Sequence, residues 1–172
     1  NVTQDNVPLR NGASTNAARL SHINQNTVLI LNGKQNDFWR VVLSNNKYAW
    51  ISANQISTPV EIENQLTTKI EEIKYETDDK AYYFSFKLKF PVPYIIEENQ
   101  NSVTLKLFNV NASDYGKSCA ENYVIDPQET NTLMTKITVP SILWGYDVNY
   151  QKGYLTFKVK KQPKINKNNN KK

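Results

Sequence analysis

His22 and Cys119 are the chain's one histidine and one cysteine, and between them they bound the covalent chemistry it can carry. A zinc-activated water needs several His and carboxylate ligands, more than a single imidazole supplies. A Cys–His nucleophile would bring Cys119 against His22. The two fall in different predicted domains, so the plainer reading is an ordinary thiol and a surface imidazole. Adjacent carboxylates occur at Glu71-Glu72, Asp78-Asp79 and Glu97-Glu98. Neighbours on a strand point to opposite faces, so these are not acid–base partners; in turns they are solvated charges. Five glycines leave little room for a phosphate-cradling loop. The expectation is a chain with no catalytic groups, no metal site and no cofactor.

Bulk properties narrow the partners. The 172 residues are 39% hydrophobic and 11% aromatic, enough for packed cores and against general disorder. No apolar run approaches the roughly 20 residues of a membrane helix. The net charge of +5 is unevenly spread. Residues 1–58 carry five Lys/Arg against two Asp/Glu, residues 67–161 carry twelve of each sign, and residues 162–172 carry four Lys and no acid. Much of the excess therefore sits in a Lys/Asn-rich tail that reads as a solvated linker, and no nucleic-acid partner is expected. The single cysteine excludes an intrachain disulfide and leaves the compartment open.

The elements that would position any site are short strands separated by Asn, Gly, Ser and Pro clusters, with no long amphipathic helix. The expected fold class is all-β. A boundary near Pro59 divides it into a domain over 1–58, a linker over 59–66, a domain over 67–161 and a tail over 162–172. In the first part VPLR is a strand, TVLILN a strand ending at Gly33, and FWRVVL and YAWIS a hairpin around SNNK, where Asn tolerates left-handed backbone. Gly12 reads as a turn requirement, and Pro8 as a mark of an edge strand. In the second part Tyr82, Phe84, Phe86, Leu88 and Phe90 alternate with Tyr83, Ser85, Lys87 and Lys89, a sheet with one buried face. SVTLKLFNV and YLTFKVK repeat the pattern, the latter joined to WGYDVNY by a turn at Gln151-Lys152-Gly153. SDYGKSCAENY reads equally as a short helix or a loop.

Residues 1–57 resemble the bacterial Src-homology-3 type domain of cell-wall proteins. The resemblance rests on Val7-Pro8-Leu9-Arg10-Asn11-Gly12-Ala13-Ser14, Leu20-Ser21-His22-Ile23, Thr27-Val28-Leu29-Ile30, Phe38-Trp39-Arg40-Val41-Val42, and Ala49-Trp50-Ile51-Ser52-Ala53-Asn54-Gln55-Ile56. It spans nearly the whole domain in order and spacing, departing at Ala49, where glycine is usual, and at Pro8. It implies a small barrel that docks peptidoglycan peptides or another part of the same enzyme. On that reading Tyr48, Trp50 and Trp39 offer flat faces beside a shallow groove, and Arg10, Arg19 and Arg40 meet carboxylates of a wall peptide. Trp39 and Trp50 are also each readable as barrel core.

Residues 67–161 resemble the amidase N-terminal (AMIN) domain of N-acetylmuramoyl-L-alanine amidases. The matching run is Ile70 to Tyr75, Asp78-Asp79, Tyr82 to Phe90, Pro91-Val92-Pro93-Tyr94, Val103 to Asn109, and a closing hairpin from Tyr146 to Val159. It implies an antiparallel β-sandwich that binds peptidoglycan and directs a hydrolase. Tyr83 and Phe108 lie on the opposite face from the core row and suit either a second packed sheet or a sugar-stacking surface. Together the resemblances imply a non-catalytic peptidoglycan-binding region of a cell-wall amidase. Its partner would be the stem peptide or the glycan, and its place the periplasm or envelope of a bacterium. The start at Asn1 implies that an upstream segment has been removed, and the tail implies a tether to a downstream catalytic domain. The alternative is a regulatory pair of modules that gates that catalytic domain or an envelope partner.

Overall fold

The computed structural model describes residues 1–44, 46–61, 67–128 and 131–165. Most of the expected linker, 62–66, and the end of the expected tail, 166–172, lie outside the described residues. The fold is all-β, built from three five-stranded sheets.

The first sheet contains β1 (Val7–Arg10), β2 (Arg19–Ile23), β3 (Ile30–Gln35), β4 (Phe38–Ser44) and β5 (Lys47–Ser52), in the order β2-β1-β5-β4-β3. It curls around Val7, Leu9, Ile23, Val41, Leu43, Ala49 and Ile51, all buried. The chain start closes the curl, with a bridge between Val2 and Ile56 and a hydrogen bond from the Asn1 amino group to Ser57 Oγ at 2.8 Å.

Its turns are made by asparagine. Asn36 and Asp37 both have positive φ (49° and 61°), the geometry of a tight two-residue hairpin whose twist matches the strands, and Gln35 pairs with Phe38 across it. β3 therefore runs past Gly33, which marks only a register shift within the strand. Asn46, at φ 60°, serves the β4–β5 turn. Gly12 has no left-handed backbone, and an added Cβ would meet Ala17 at an ordinary 3.4 Å. The turn does not require glycine there. Pro8 does not mark an edge either, because β1 lies between β2 and β5. β1 pairs with β5 only at Arg10, so Pro8 has no ladder bond to donate on that side.

The second and third sheets form a sandwich. One holds β6 (Thr68–Thr77), β7 (Ala81–Leu88), β10 (Val110–Asn111), β14 (Tyr146–Gln151) and β15 (Tyr154–Lys160), in the order β10-β6-β7-β15-β14. The other holds β8 (Tyr94–Glu98), β9 (Ser102–Leu107), β11 (Ser118–Cys119), β12 (Tyr123–Gln128) and β13 (Thr132–Thr138), in the order β11-β12-β13-β9-β8. Phe84, Phe86, Leu155 and Phe157 meet Val103, Leu105, Leu133 and Ile137 in the core, all fully buried. Tyr75, Phe84 and Tyr123 add a ring cluster across the layers, with centroids 4.7 to 5.0 Å apart.

Two features depart from the expected sandwich, the parallel β10 and the exposed Phe90, and two readings left open, at residues 113–123 and at Phe108, are decided. β10 joins β6 in parallel, so the sheets are not purely antiparallel. Residues 113–123 hold the two-residue strand β11 within a loop, and no helix. Phe90 is not a core residue: β7 ends at Leu88, and Phe90 is 51% exposed just before Pro91, where the chain turns off the sheet. Phe108 does pack inside, at 1% exposure.

The two lobes meet where β2 and β8, each at the edge of its sheet, lie side by side. Ser21 Oγ donates to the Tyr94 carbonyl, and the Tyr94 hydroxyl donates to the His22 carbonyl. Tyr94 is 3% exposed, and burial pushes its phenol well above the ordinary value, so it remains a donor at any physiological pH. Lys47 adds a cation over the Phe108 ring at 5.8 Å. Tyr94→Phe removes the donor and leaves the His22 carbonyl without it, so the unfolding free energy should fall by about 1 kcal/mol. Equilibrium urea unfolding measures this, and an unchanged midpoint would show that the latch adds no net stability.

Candidate binding face of the N-terminal sheet

Antiparallel register gathers distant residues into one row. Arg10 lies opposite Arg19 on β2 and opposite Trp50 on β5, and Trp50 lies opposite Arg40 on β4. Directly opposed residues share a face. The alternate positions Leu9, Val41, Ala49 and Ile51 are buried, so the row Arg19–Arg10–Trp50–Arg40 stands on the outer face. With strands about 4.8 Å apart, it spans three intervals, about 14 Å. These are the only arginines in the 172 residues; every other cationic side chain apart from the histidine is a lysine.

Each guanidinium is held by neutral groups. Arg10 Nη1 donates to the Ala17 carbonyl at 3.1 Å, and Arg40 Nε donates to Asn32 Oδ1 at 2.8 Å. Arg40 also lies over the Tyr48 ring, 4.2 Å from its centroid. Arg19 Nη1 approaches His22 Nε2 at 3.4 Å, a contact that suits a neutral ring accepting at Nε2. Among the described residues no arginine pairs with a carboxylate, whereas Lys69, Lys74, Lys87, Lys106, Lys160 and Lys164 all do. Tyr48 is 39% exposed and Trp50 half-buried, so both present ring surface beside the guanidiniums.

Five of the seven residues expected to bind ligand thus lie on this face: Arg10, Arg19, Arg40, Tyr48 and Trp50. Tyr83 lies elsewhere, on the outer surface of β7, where its hydroxyl donates to Asp78 Oδ2 at 3.3 Å. Phe108 is buried beneath Lys47 at the lobe interface and has no free ring face; of its two expected roles the packed one holds. Trp39 faces inward opposite Ile51, half-buried, and lines an apolar groove of about 830 Å³ with Leu31, Ile56 and Val60.

His22 belongs to the arginine face as well, and strand alternation hides it. Arg19 and His22 are three residues apart, which puts them on opposite sides of a regular strand. A register shift at Leu20 inserts one residue and brings them to the same side. Burial first, then the charges of Arg19 and Arg10, hold the His22 pKa below its ordinary 6.5.

The remaining polar candidates have structural partners. Asp78 Oδ1 accepts from Lys80 N and Ala81 N at 2.8 and 2.9 Å, bonds that lower its pKa and tie the β6–β7 turn. Glu71 pairs with Lys87, and Glu97 with Lys106. Cys119 is exposed on β11, in a different sheet from His22. Among the described residues no three His, Cys, Asp or Glu side chains gather as a cation site. Compared with protein families, with curated proteins and with solved structures, the chain finds no match.

The His22 titration tests the field of this face. A native pKa below the unfolded one means that the unfolded chain takes its proton first. Stability should therefore be undiminished above about pH 6.5, fall as pH drops toward the native pKa, and level off below it. In Arg19→Gln the midpoint of the His22 ring resonances should move up toward 6.5. An unmoved midpoint would show that Arg19 exerts no field at His22.

Proposed function

We propose that the chain is a non-catalytic, peptidoglycan-binding region of an exported bacterial cell-wall hydrolase of the N-acetylmuramoyl-L-alanine amidase type. The observation that carries this reading is the arginine row: all three guanidiniums share one surface with Trp50 and Tyr48, and among the described residues none pairs with a carboxylate. Guanidiniums bind carboxylates through paired, charge-assisted hydrogen bonds. A row about 14 Å long matches about four residues of extended peptide. A wall stem peptide offers carboxylates at that spacing on a short chain, and the aromatic rings take up its aliphatic parts. The motifs Val7 to Ser14, Phe38 to Val42 and Ala49 to Ile56, which carry the resemblance to bacterial Src-homology-3 type domains, include three of the four row residues. The resemblance of 67–161 to amidase N-terminal domains supplies the hydrolase context.

Retention on purified, insoluble sacculi tests the reading. The whole chain should be retained at low salt and released as salt rises. Arg40→Gln should weaken retention roughly tenfold, since a hydrogen bond to a charged group is worth about 1.5–3 kcal/mol. Failure of the wild-type chain to bind sacculi at low salt would overturn the proposal, as would equal retention of a variant lacking all three guanidiniums.

A further inference from the structure

One end of the sandwich gathers loops from both of its sheets. The starts of β7 and β14 meet the end of β15 there, with Lys160 opposite Ala81 and Tyr146 opposite Val159. The loop over residues 139–145 crosses this end and is held at three points. The Val139 N–H donates to the Asn101 carbonyl at 2.8 Å, the Leu143 N–H to the Gln100 carbonyl at 2.9 Å, and the Lys160 N–H to the Gly145 carbonyl at 2.8 Å. Val139 is buried and Leu143 packs against the core. Ile142 and Trp144, on either side of Leu143, are turned outward, each 51% exposed. Ser141 Oγ donates to Gln162 Oε1 at 3.2 Å, which fastens the start of the Lys/Asn-rich tail to the same loop. Ile165 follows three residues on and is also exposed. Three of the six large hydrophobic side chains exposed among the described residues therefore belong to this end and its tail.

Charge is the second feature. Lys80, Lys160, Lys161 and Lys164 share this end with Asp78, Asp79, Asp147 and Glu98, so the described groups balance. Lys160 pairs with Asp147 at 3.6 Å and Lys164 with Asp79 at 3.8 Å, all on exposed side chains, and such contacts are worth little in water. Lys161 Nζ donates to the Asp78 carbonyl at 2.6 Å and lies over the Tyr82 ring, 4.5 Å from its centroid. The rest of the tail sequence breaks the balance, because Lys167, Lys171 and Lys172 come with no acid.

Apolar groups and cations together select the partner. A soluble polyanion would take the lysines and leave Ile142 and Trp144 in water. A stable protein interface buries about 800 Å² a side, more than two side chains supply. A bilayer surface asks for less. Trp suits its headgroup layer, since the ring is apolar and the N–H finds polar partners. Each Lys near an anionic surface adds about fivefold in affinity. One weak signal anchors poorly, and stable attachment takes two.

We infer that this end of the sandwich docks on an anionic lipid bilayer, with Ile142 and Trp144 entering the headgroup layer while the tail lysines hold the charged surface. The contact lies on the membrane rather than across it. It is separate from the arginine row and needs no wall polymer.

The test is co-sedimentation of the full chain with vesicles of phosphatidylglycerol and phosphatidylcholine in equal parts, beside vesicles of phosphatidylcholine alone. At low salt the chain should pellet with the mixed vesicles and stay in solution with the neutral ones. Brominated acyl chains should quench its tryptophan emission, and Trp144→Phe should still pellet but lose that quenching. Ile142→Ser with Trp144→Ser should weaken binding about a hundredfold, roughly tenfold for each side chain. Changing Lys164, Lys167, Lys171 and Lys172 to Gln should weaken it several hundredfold, about fivefold for each charge. The glutamine variant alters no core residue, so it reports even if the double serine variant unfolds. No pelleting of the wild type with the anionic vesicles overturns the inference, as does equal pelleting with the neutral ones or undiminished binding of the glutamine variant. Undiminished binding of the serine variant would show a site for polyanions alone. Quenching that is absent, or that persists in Trp144→Phe, would leave the exposed loop to a protein partner. Either result overturns the inference too. Sacculi stripped of lipid should still retain the serine variant, so this docking and the function proposed above stand or fall separately.

Discussion

One antiparallel ladder pair, Arg10 opposite Trp50, sets the register between β1 and β5. Side chains alternate with period two, so a slip of one residue at that junction would turn every outward group of β1 and β2 into the core. Leu9, Val7 and Ile23, all fully buried, forbid the slip. The register that buries them is also the register that lines up Arg19, Arg10, Trp50 and Arg40. One register thus sets both the packing of the core and the order of residues on the outer face.

Assembling that face has a cost. Arg10 and Arg19 are like charges directly opposed on adjacent strands, and such a pair destabilises a sheet, while Trp50 separates Arg10 from Arg40. Neutral groups disperse the charge: the Ala17 carbonyl, the Asn32 amide and the Tyr48 ring. Partial desolvation first, then Arg19 and Arg10, lower the His22 pKa, which disfavours a fourth charge on this face. The sandwich follows the opposite practice, matching lysines with carboxylates over its surface.

Legibility from sequence followed the range of the interaction. Strands β7, β9 and β15 declare themselves because alternation is local, and the β14–β15 turn because Lys152-Gly153 takes positive φ (53° and 82°). The β4–β5 hairpin is legible for the same reason. Asparagine extended this: among the described residues, six of the eight non-glycine positions at positive φ are Asn, so a chain with five glycines still has its tight turns. Phe90 escaped because alternation continues through it on paper, while Pro91 ends the strand in space. The parallel strand β10 escaped because two residues carry no periodicity. On the candidate face the residue types were legible from the motifs, but their order across four strands was not, since it depends on the pairing of positions 10, 19, 40 and 50. His22 needed the bulge at Leu20, which no local pattern announces.

Docking therefore has a consequence beyond stability. Were the lobes tethered only through the segment before β6, the arginine row and the sandwich surface would sample many relative positions, and a ligand spanning both would have to order them. The buried Tyr94, bonded in both directions across β2 and β8, removes most of that freedom before any ligand arrives. Two weak sites held at one separation act together only on a polymer whose own repeat matches that separation. If the outer surfaces of both lobes engage one polymer, as proposed, that fixed separation sets which spacing on the polymer they can grip together.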